Sequence, residues 1–159
     1  MEYQIIPLAD NPAHAPGVAE RTYQLWGHLI YEDTGMSASE FAEVIRSRAV
    51  RHHVPLTLIA LAGDDLIGTV SLKEHEATTD EKLSPWIGGL LVDETWRGKG
   101  LGTALLAEAE ATAVALGYSS LYLSCEADVE HFYQHLGWTL MRRTLSCGDE
   151  VALMKKRLT

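Results

Sequence analysis

The sequence predicts a single α/β domain (residues 1–159): one central mixed sheet with helices on both faces, in the order β-α-α-β-β-β-α-β-α-β-β. Three observations carry that prediction. The chain of 159 residues shows no repeat, linker or low-complexity tract, and its length suits one domain with a real core. Strand-like runs joined by a hairpin turn are followed by a strand–helix–strand unit, which mixes antiparallel with parallel pairing. Between that strand and helix stands WRGKGLGTALL, in which Gly98, Gly100 and Gly102 alternate with other residues beside Arg97 and Lys99.

The elements follow in order. Residues 3–8 (YQIIPL) read as the first strand. Over residues 14–30, Val18, Thr22, Leu25, Trp26 and Leu29 recur at helical spacing. Ser37 or Ser39 caps a second helix, SASEFAEVIRSRA, with Phe41, Val44 and Ile45 on one face. PLTLIALA and LIGTVSLKEH read as strands around a hairpin turn at Gly63-Asp64-Asp65, and residues 76–82 as a loop. WIGGLLV, from Trp86 to Val92, is a strand expected to be buried on both faces. The glycine-rich segment opens a helix to about Leu116, burying Leu105, Leu106, Ala109, Ala113 and Leu116, with Gly117 at its C-terminal cap. SLYLSC is a strand and DVEHFYQHL a short helix stopped by Gly137. WTLMRRTLS and EVALMKKRL close the chain as a hairpin around Cys147-Gly148-Asp149.

Composition narrows the function. No stretch approaches the roughly 18 apolar residues of a membrane span, so no membrane partner is expected. The start, MEYQIIPLADNP, lacks the basic and apolar pattern of a secretory signal, and a cytoplasmic location is expected. Cys125 and Cys147 form neither a disulfide framework nor a metal-ligand pattern, so no metal is expected. The formal charge is −9; residues 1–80 hold 5 basic and 12 acidic residues, residues 81–159 hold 8 and 10. Such a surface does not suit nucleic acid. The basic residues lean toward the half that carries the glycines, where a polyanion would sit.

A helix N-terminus offers unpaired N–H groups and the positive end of the helix dipole. Glycines there let the main chain approach phosphate oxygens, and Arg97 and Lys99 add full charges. The spacing fits neither a P-loop nor a G-x-G-x-x-G dinucleotide fingerprint.

Residues 97–102, RGKGLG, match R-x-x-G-x-G, and the segment resembles the pyrophosphate-binding motif of the GCN5-related N-acetyltransferases (GNAT superfamily). EHFYQHLGW resembles the F-Y-x-x-x-G-F/W segment of that family, and the element order resembles it over essentially the whole chain. The resemblance implies transfer of an acetyl group from acetyl-CoA to a primary amine of a small molecule or peptide, by direct attack in a ternary complex. It also implies that the main chain of Leu90, Leu91 and Val92 pairs with the pantetheine arm. An N–H of Leu90 or Leu91 would polarise the thioester carbonyl. The amides of Arg97, Gly98, Lys99, Gly100, Leu101, Gly102 and Thr103 would hold the pyrophosphate. Tyr133 falls where the family keeps a tyrosine that protonates the leaving thiolate; its i, i+3, i+4, i+7 spacing with Val129, Phe132 and Leu136 also suits plain packing. WIGGLLV lacks the carboxylate that many members carry on this strand. Glu126 is then a candidate base or a carboxylate on the following helix dipole, with Glu74, His75 and Glu76 as alternatives. Trp26, Tyr31 and Glu32, with His28 and Asp33, form an acidic and aromatic group suited to a cationic acceptor, and His75 joins them from the third strand. Gly88 and Gly89 would leave room for a longer acyl group or mark a bulge. A homodimer is compatible with the family. A coenzyme-binding sensor or assembly module without catalysis is the alternative of another class.

Overall fold

The strand and helix signals resolve into β1 (Gln4–Pro7), α1 (Ala15–Thr34), α2 (Ala38–Ser47), β2 (Leu56–Ala62), β3 (Asp65–Lys73) and β4 (Trp86–Val92). They continue as α3 (Leu101–Ala115), β5 (Ser120–Glu126), α4 (Glu130–His135), β6 (Thr139–Ser146) and β7 (Asp149–Arg157). This computed structural model describes residues 2–76, 82–146 and 148–158. Residues 77–81 of the expected loop, and Cys147 of the expected last turn, lie outside the described residues.

The seven strands form one sheet in the order β1-β2-β3-β4-β5-β7-β6. All neighbours are antiparallel except β4 and β5. Side-chain alternation along β2 divides the core into two layers. Ile59 and Leu61 face α1 and α2, packing with Val18, Ala19, Phe41 and Ile45. Leu58 and Ala60 face α3, packing with Leu101, Leu105, Leu106 and Ala109. The helices therefore cover both faces, as the periodicity implies.

Two differences from the sequence reading matter for the site. α1 continues past residue 30 to Thr34 and stops only where Gly35 adopts φ +75°, its N–H donating to the Tyr31 carbonyl (2.7 Å). Leu25 is 48% exposed, on the flank of the buried face rather than within it. α1 is anchored by Tyr23, whose hydroxyl donates to the Met36 carbonyl (2.8 Å), and by Arg21, which donates to the Leu66 carbonyl.

Ser37, rather than Ser39, caps α2. Its hydroxyl accepts from the Glu40 N–H (3.3 Å), while its own N–H donates to Glu40 Oε1 (3.1 Å), a reciprocal capping box. These bonds hold the Glu40 carboxyl below its ordinary pKa. Among the described residues no helix is long and apolar enough to cross a membrane. Replacing Ser37 by Ala leaves helix-end donors unpaired and is expected to lower the unfolding free energy by about 1 kcal/mol in urea titrations. An unchanged midpoint would mean that the cap contributes nothing.

Candidate active site

β4 and β5 pair at one place, Trp86 opposite Tyr122, and then part. Trp86 is fully buried; its Nε1–H donates to the Leu83 carbonyl (2.6 Å) and its ring tilts against Tyr122 at 5.5 Å. Beyond it β4 bends. Thr69 lies opposite Leu91 and Ser71 opposite Gly88, so Gly89 and Leu90 together oppose Val70 in a bulge. Gly89 takes φ +59°, the left-handed conformation that a glycine adopts at low cost. The bend opens the β5-facing edge of β4, and Gly88 to Val92 are half-buried instead of fully buried as expected.

The phase of the β3 ladder sorts the amides on this edge. Asp93 N–H donates to the Ile67 carbonyl (2.8 Å), so Leu91, two residues earlier, also turns its N–H toward β3. Gly89 and Leu90 fall between ladder pairs, and Val92 turns away, its carbonyl accepting from Arg97 Nε (3.3 Å). Of the two candidate donors, Leu91 is thereby committed to β3, while Leu90 lies in the bulge and lines the cleft. Gly88 leaves no extra room, because a Cβ built there would lie 2.5 Å from Lys73 Cε.

The glycine-rich turn meets α3 as the motif implies. Gly98 (φ +73°) and Gly100 (φ +82°) are left-handed. Gly100 caps α3 without any side-chain bond, and the first helical bond is Ala104 N–H to the Gly100 carbonyl (3.0 Å). Leu101, Gly102 and Thr103 therefore keep their N–H groups outside the helix ladder, at the positive end of the helix dipole. A Cβ on Gly102 would make only ordinary contact, 3.7 Å from Val92 Cγ2. Lys99 Nζ lies 5.5 Å from the centre of the Trp96 ring, and the exposed Arg97 stays beside the turn. These amides and cations fit a pyrophosphate.

Tyr133 is placed by the way α4 stops. Gly137 (φ +94°) donates its N–H to the Gln134 carbonyl (3.1 Å), and Trp138 N–H donates to the Tyr133 carbonyl (3.1 Å). This is a Schellman ending, in which the residue after the glycine packs back on the helix. Trp138 is that residue: it is buried and meets the Tyr133 ring edge-on at 6.2 Å. The F-Y-x-x-x-G-W spacing is thus a helix stop that fixes a tyrosine. Arg143 of β6 grips both Glu130 oxygens (2.9 Å), and Lys156 of β7 donates to the Leu136 carbonyl (2.7 Å) and pairs with Glu110 of α3 (2.9 Å). Burial, and secondarily the neighbouring Cys125, push the Tyr133 phenol up to about 12. Burial and the charges of Glu130, Asp128 and Glu126 push the Cys125 thiol up to about 11, so it stays unionised at neutral pH.

A cleft of about 510 Å³ runs from α1 and α2 to the parted strands. Trp26, Glu126 and Tyr133 line it together with Gly88, Gly89 and Leu90. Tyr31, Glu32 and His75 do not. The helical spacing of α1 puts Trp26, Ile30 and Asp33 on the cleft side and Tyr31 on the opposite one, where it is 62% exposed. Glu32 and His75 are exposed, and Glu76 lines the cleft in place of His75, paired with Lys73 (3.3 Å). His28 is exposed as well. Sequence reasoning missed Lys73 and Arg48 in this lining. For Arg48 a signal existed: Phe41, Val44 and Ile45 of α2 and Arg48 directly after it keep i, i+3, i+4, i+7 spacing.

Residues 19–138 match the model of the acetyltransferase (GNAT) family. No curated protein sequence matches the chain. Among solved structures, an aminoglycoside 6'-acetyltransferase type Ii superposes with a TM-score of 0.72 at 19% identity, over 100% of this chain and 98% of that one. An aminoglycoside 6'-N-acetyltransferase complexed with coenzyme A gives 0.75 at 15%, over 100% and 98%. A protein from Salmonella typhimurium, solved with its cofactor acetyl-CoA, gives 0.74 at 14%, over 100% and 95%. At these identities the likeness is one of fold.

Replacing Gly137 by Ala forces a Cβ into left-handed backbone, at a cost of about 1–2 kcal/mol. The variant is expected to unfold at correspondingly lower denaturant. A midpoint equal to that of the parent protein would show that the stop does not depend on this glycine.

Proposed function

Because the chain belongs to the acetyltransferase (GNAT) family, we propose that it moves an acetyl group to a primary amine of a small molecule or peptide, by direct attack in a ternary complex. The family uses acetyl-CoA, which supplies the activated acetyl thioester when bound. The observation that carries the reading is one cleft lined by Leu90, Glu126 and Tyr133 at the point where β4 and β5 part.

The chain's own groups divide the work. The N–H groups of Leu101, Gly102 and Thr103, with Arg97 and Lys99, hold the pyrophosphate. The open edge of β4 accepts an extended arm as an added strand. Leu90 N–H would donate to the thioester carbonyl oxygen; removing one donor of this kind typically costs ~100- to 1000-fold in rate. The Tyr133 hydroxyl, on the cleft lining, would serve as the proton donor to the leaving thiolate. With its pKa raised to about 12, it keeps its proton at working pH, and a thiolate near pKa ~8.5 takes that proton only at close range. Glu126 accepts the proton of the incoming ammonium, with Glu76 on the same lining as the alternative. Cys125 offers no acetyl-carrying thiolate, since its thiol stays protonated, and this favours direct attack over relay through the protein.

The test is thiol release by the purified protein with acetyl-CoA and a panel of amines, alongside calorimetric titration of acetyl-CoA. Tyr133→Phe is expected to lower kcat by ~100-fold or more while leaving coenzyme affinity unchanged. Equal turnover in the two proteins would remove Tyr133 from the reaction; coenzyme binding without turnover on any amine would favour the sensor. The sign of the pH dependence follows from the raised phenol. Between pH 10 and 12 the folded protein keeps a proton that the unfolded chain loses, so stability declines as pH rises through that window. Below it Tyr133 produces no falling limb in kcat. Urea titrations at pH 9 and 11 are expected to show a smaller decline for Tyr133→Phe than for the parent protein.

A further inference from the structure

We propose that the acceptor amine also carries a carboxylate, and that Arg48 binds it at the helical wall of the cleft. The proposal rests on reading this cleft as the acceptor site. Arg48 directly follows α2, and its main chain is fixed: its N–H donates to the Ile45 carbonyl (2.9 Å) and its carbonyl accepts from Thr57 N–H of β2 (3.1 Å). The side chain lines the cleft beside Phe41, Val44 and Ile45. Its Nε is buried and has no hydrogen-bond partner. Among the described residues no carboxylate forms an ion pair with it.

A guanidinium presents five donors in a fixed plane and stays charged at working pH. Burial pushes Arg48 down to about 10, which still leaves it cationic at neutrality. A buried donor without a partner is unfavourable, so a site that keeps one is suited to a ligand that accepts from it. The other charged groups on the lining are Lys73, which pairs with Glu76, and the acids Asp33 and Glu126. One guanidinium balances one negative charge. A phosphate monoester would bring nearly two beside those acids, whereas a carboxylate matches both the charge and the planar fork. Glu126 on the same lining suits the ammonium end. Walls made by Trp26, Leu29 and Phe41 suit an apolar body between the ends. The acceptor class is therefore an amino acid or a close derivative with a free carboxylate.

The experiment uses matched pairs: phenylalanine, leucine and glycine, each against its carboxamide. Thiol release is measured with the parent protein and with Arg48→Gln and Arg48→Lys. The parent protein is expected to prefer the acids, and Arg48→Gln to erase that preference by raising KM for the acids ~10- to 100-fold while leaving the amides unchanged. Arg48→Lys keeps the charge without the fork and should recover part of the preference, which also covers a Gln variant that folds poorly. Calorimetric titration of the N-acetylated acids and amides reads the same contrast without turnover. Tighter binding of the acids to the parent protein, lost in Arg48→Gln, supports the assignment. Equal use or binding of acids and amides by the parent protein overturns it, as does an equal loss for both in Arg48→Gln with melting temperature and acetyl-CoA affinity intact. If no amine is turned over, the acetyl-transfer reading fails and the calorimetric contrast still decides the role of Arg48.

Discussion

The site depends on one interrupted ladder. β4 and β5 share a single pair, Trp86 with Tyr122, and the bulge at Gly89 and Leu90 then bends β4 out of reach. A parallel pair zipped along its whole length would bury both strands and leave no main-chain group for a ligand. The parting instead exposes a strand edge inside the protein, and Gly88, Gly89 and Leu90 line the cleft there. Trp86 secures the closed end by filling its own hydrogen bond and packing on Tyr122 and Leu153. The opening is therefore held by a rigid hinge point, and the bend comes from a glycine that tolerates left-handed backbone.

The remaining parts of the site are helix ends brought to that opening. α3 contributes its unpaired first amides, because Gly100 caps it without a side chain. α4 contributes Tyr133, because Gly137 stops the helix and Trp138 packs back on it. α1 and α2 contribute the far wall, and Tyr23 of α1 donates to the Met36 carbonyl in the turn between them. Each helix is anchored on the sheet by the apolar layers, so a common scaffold sets the distance between main-chain donors and the phenol. Lys156 serves two of these elements at once, closing the end of α4 and pairing with Glu110 of α3.

Much of this was legible in the sequence, and the exceptions have physical causes. β4 runs from Trp86 to Val92 as its apolar run implies, and α2 begins at the serine three residues before a glutamate. The end of α1 was not legible. Residues 31–34 (YEDT) are polar enough to resemble a loop, yet they form the last turn of a helix that no residue breaks before Gly35. Tyr31 and Glu32 therefore group with Trp26 in the sequence, although of residues 31–34 only Asp33 and Thr34 line the cleft with it. The glycines at 88 and 89 mark an irregular strand, but which amide turns outward depends on the pairing phase with β3, a property of two strands that neither displays alone. Arg48 follows the apolar spacing of α2, and its charge disguised it as a solvated helix end.

The central claim is that two sets of main-chain amides hold the coenzyme, one on β4 and one at the start of α3. The most direct test follows backbone amide resonances while unlabelled coenzyme A is added to isotopically labelled protein. The account predicts saturable shifts concentrated at Gly89 and Leu90 and at Leu101, Gly102 and Thr103, with Leu91 moving less because its N–H is committed to β3. Saturation with the largest shifts elsewhere, or no saturable shift at all, would contradict it.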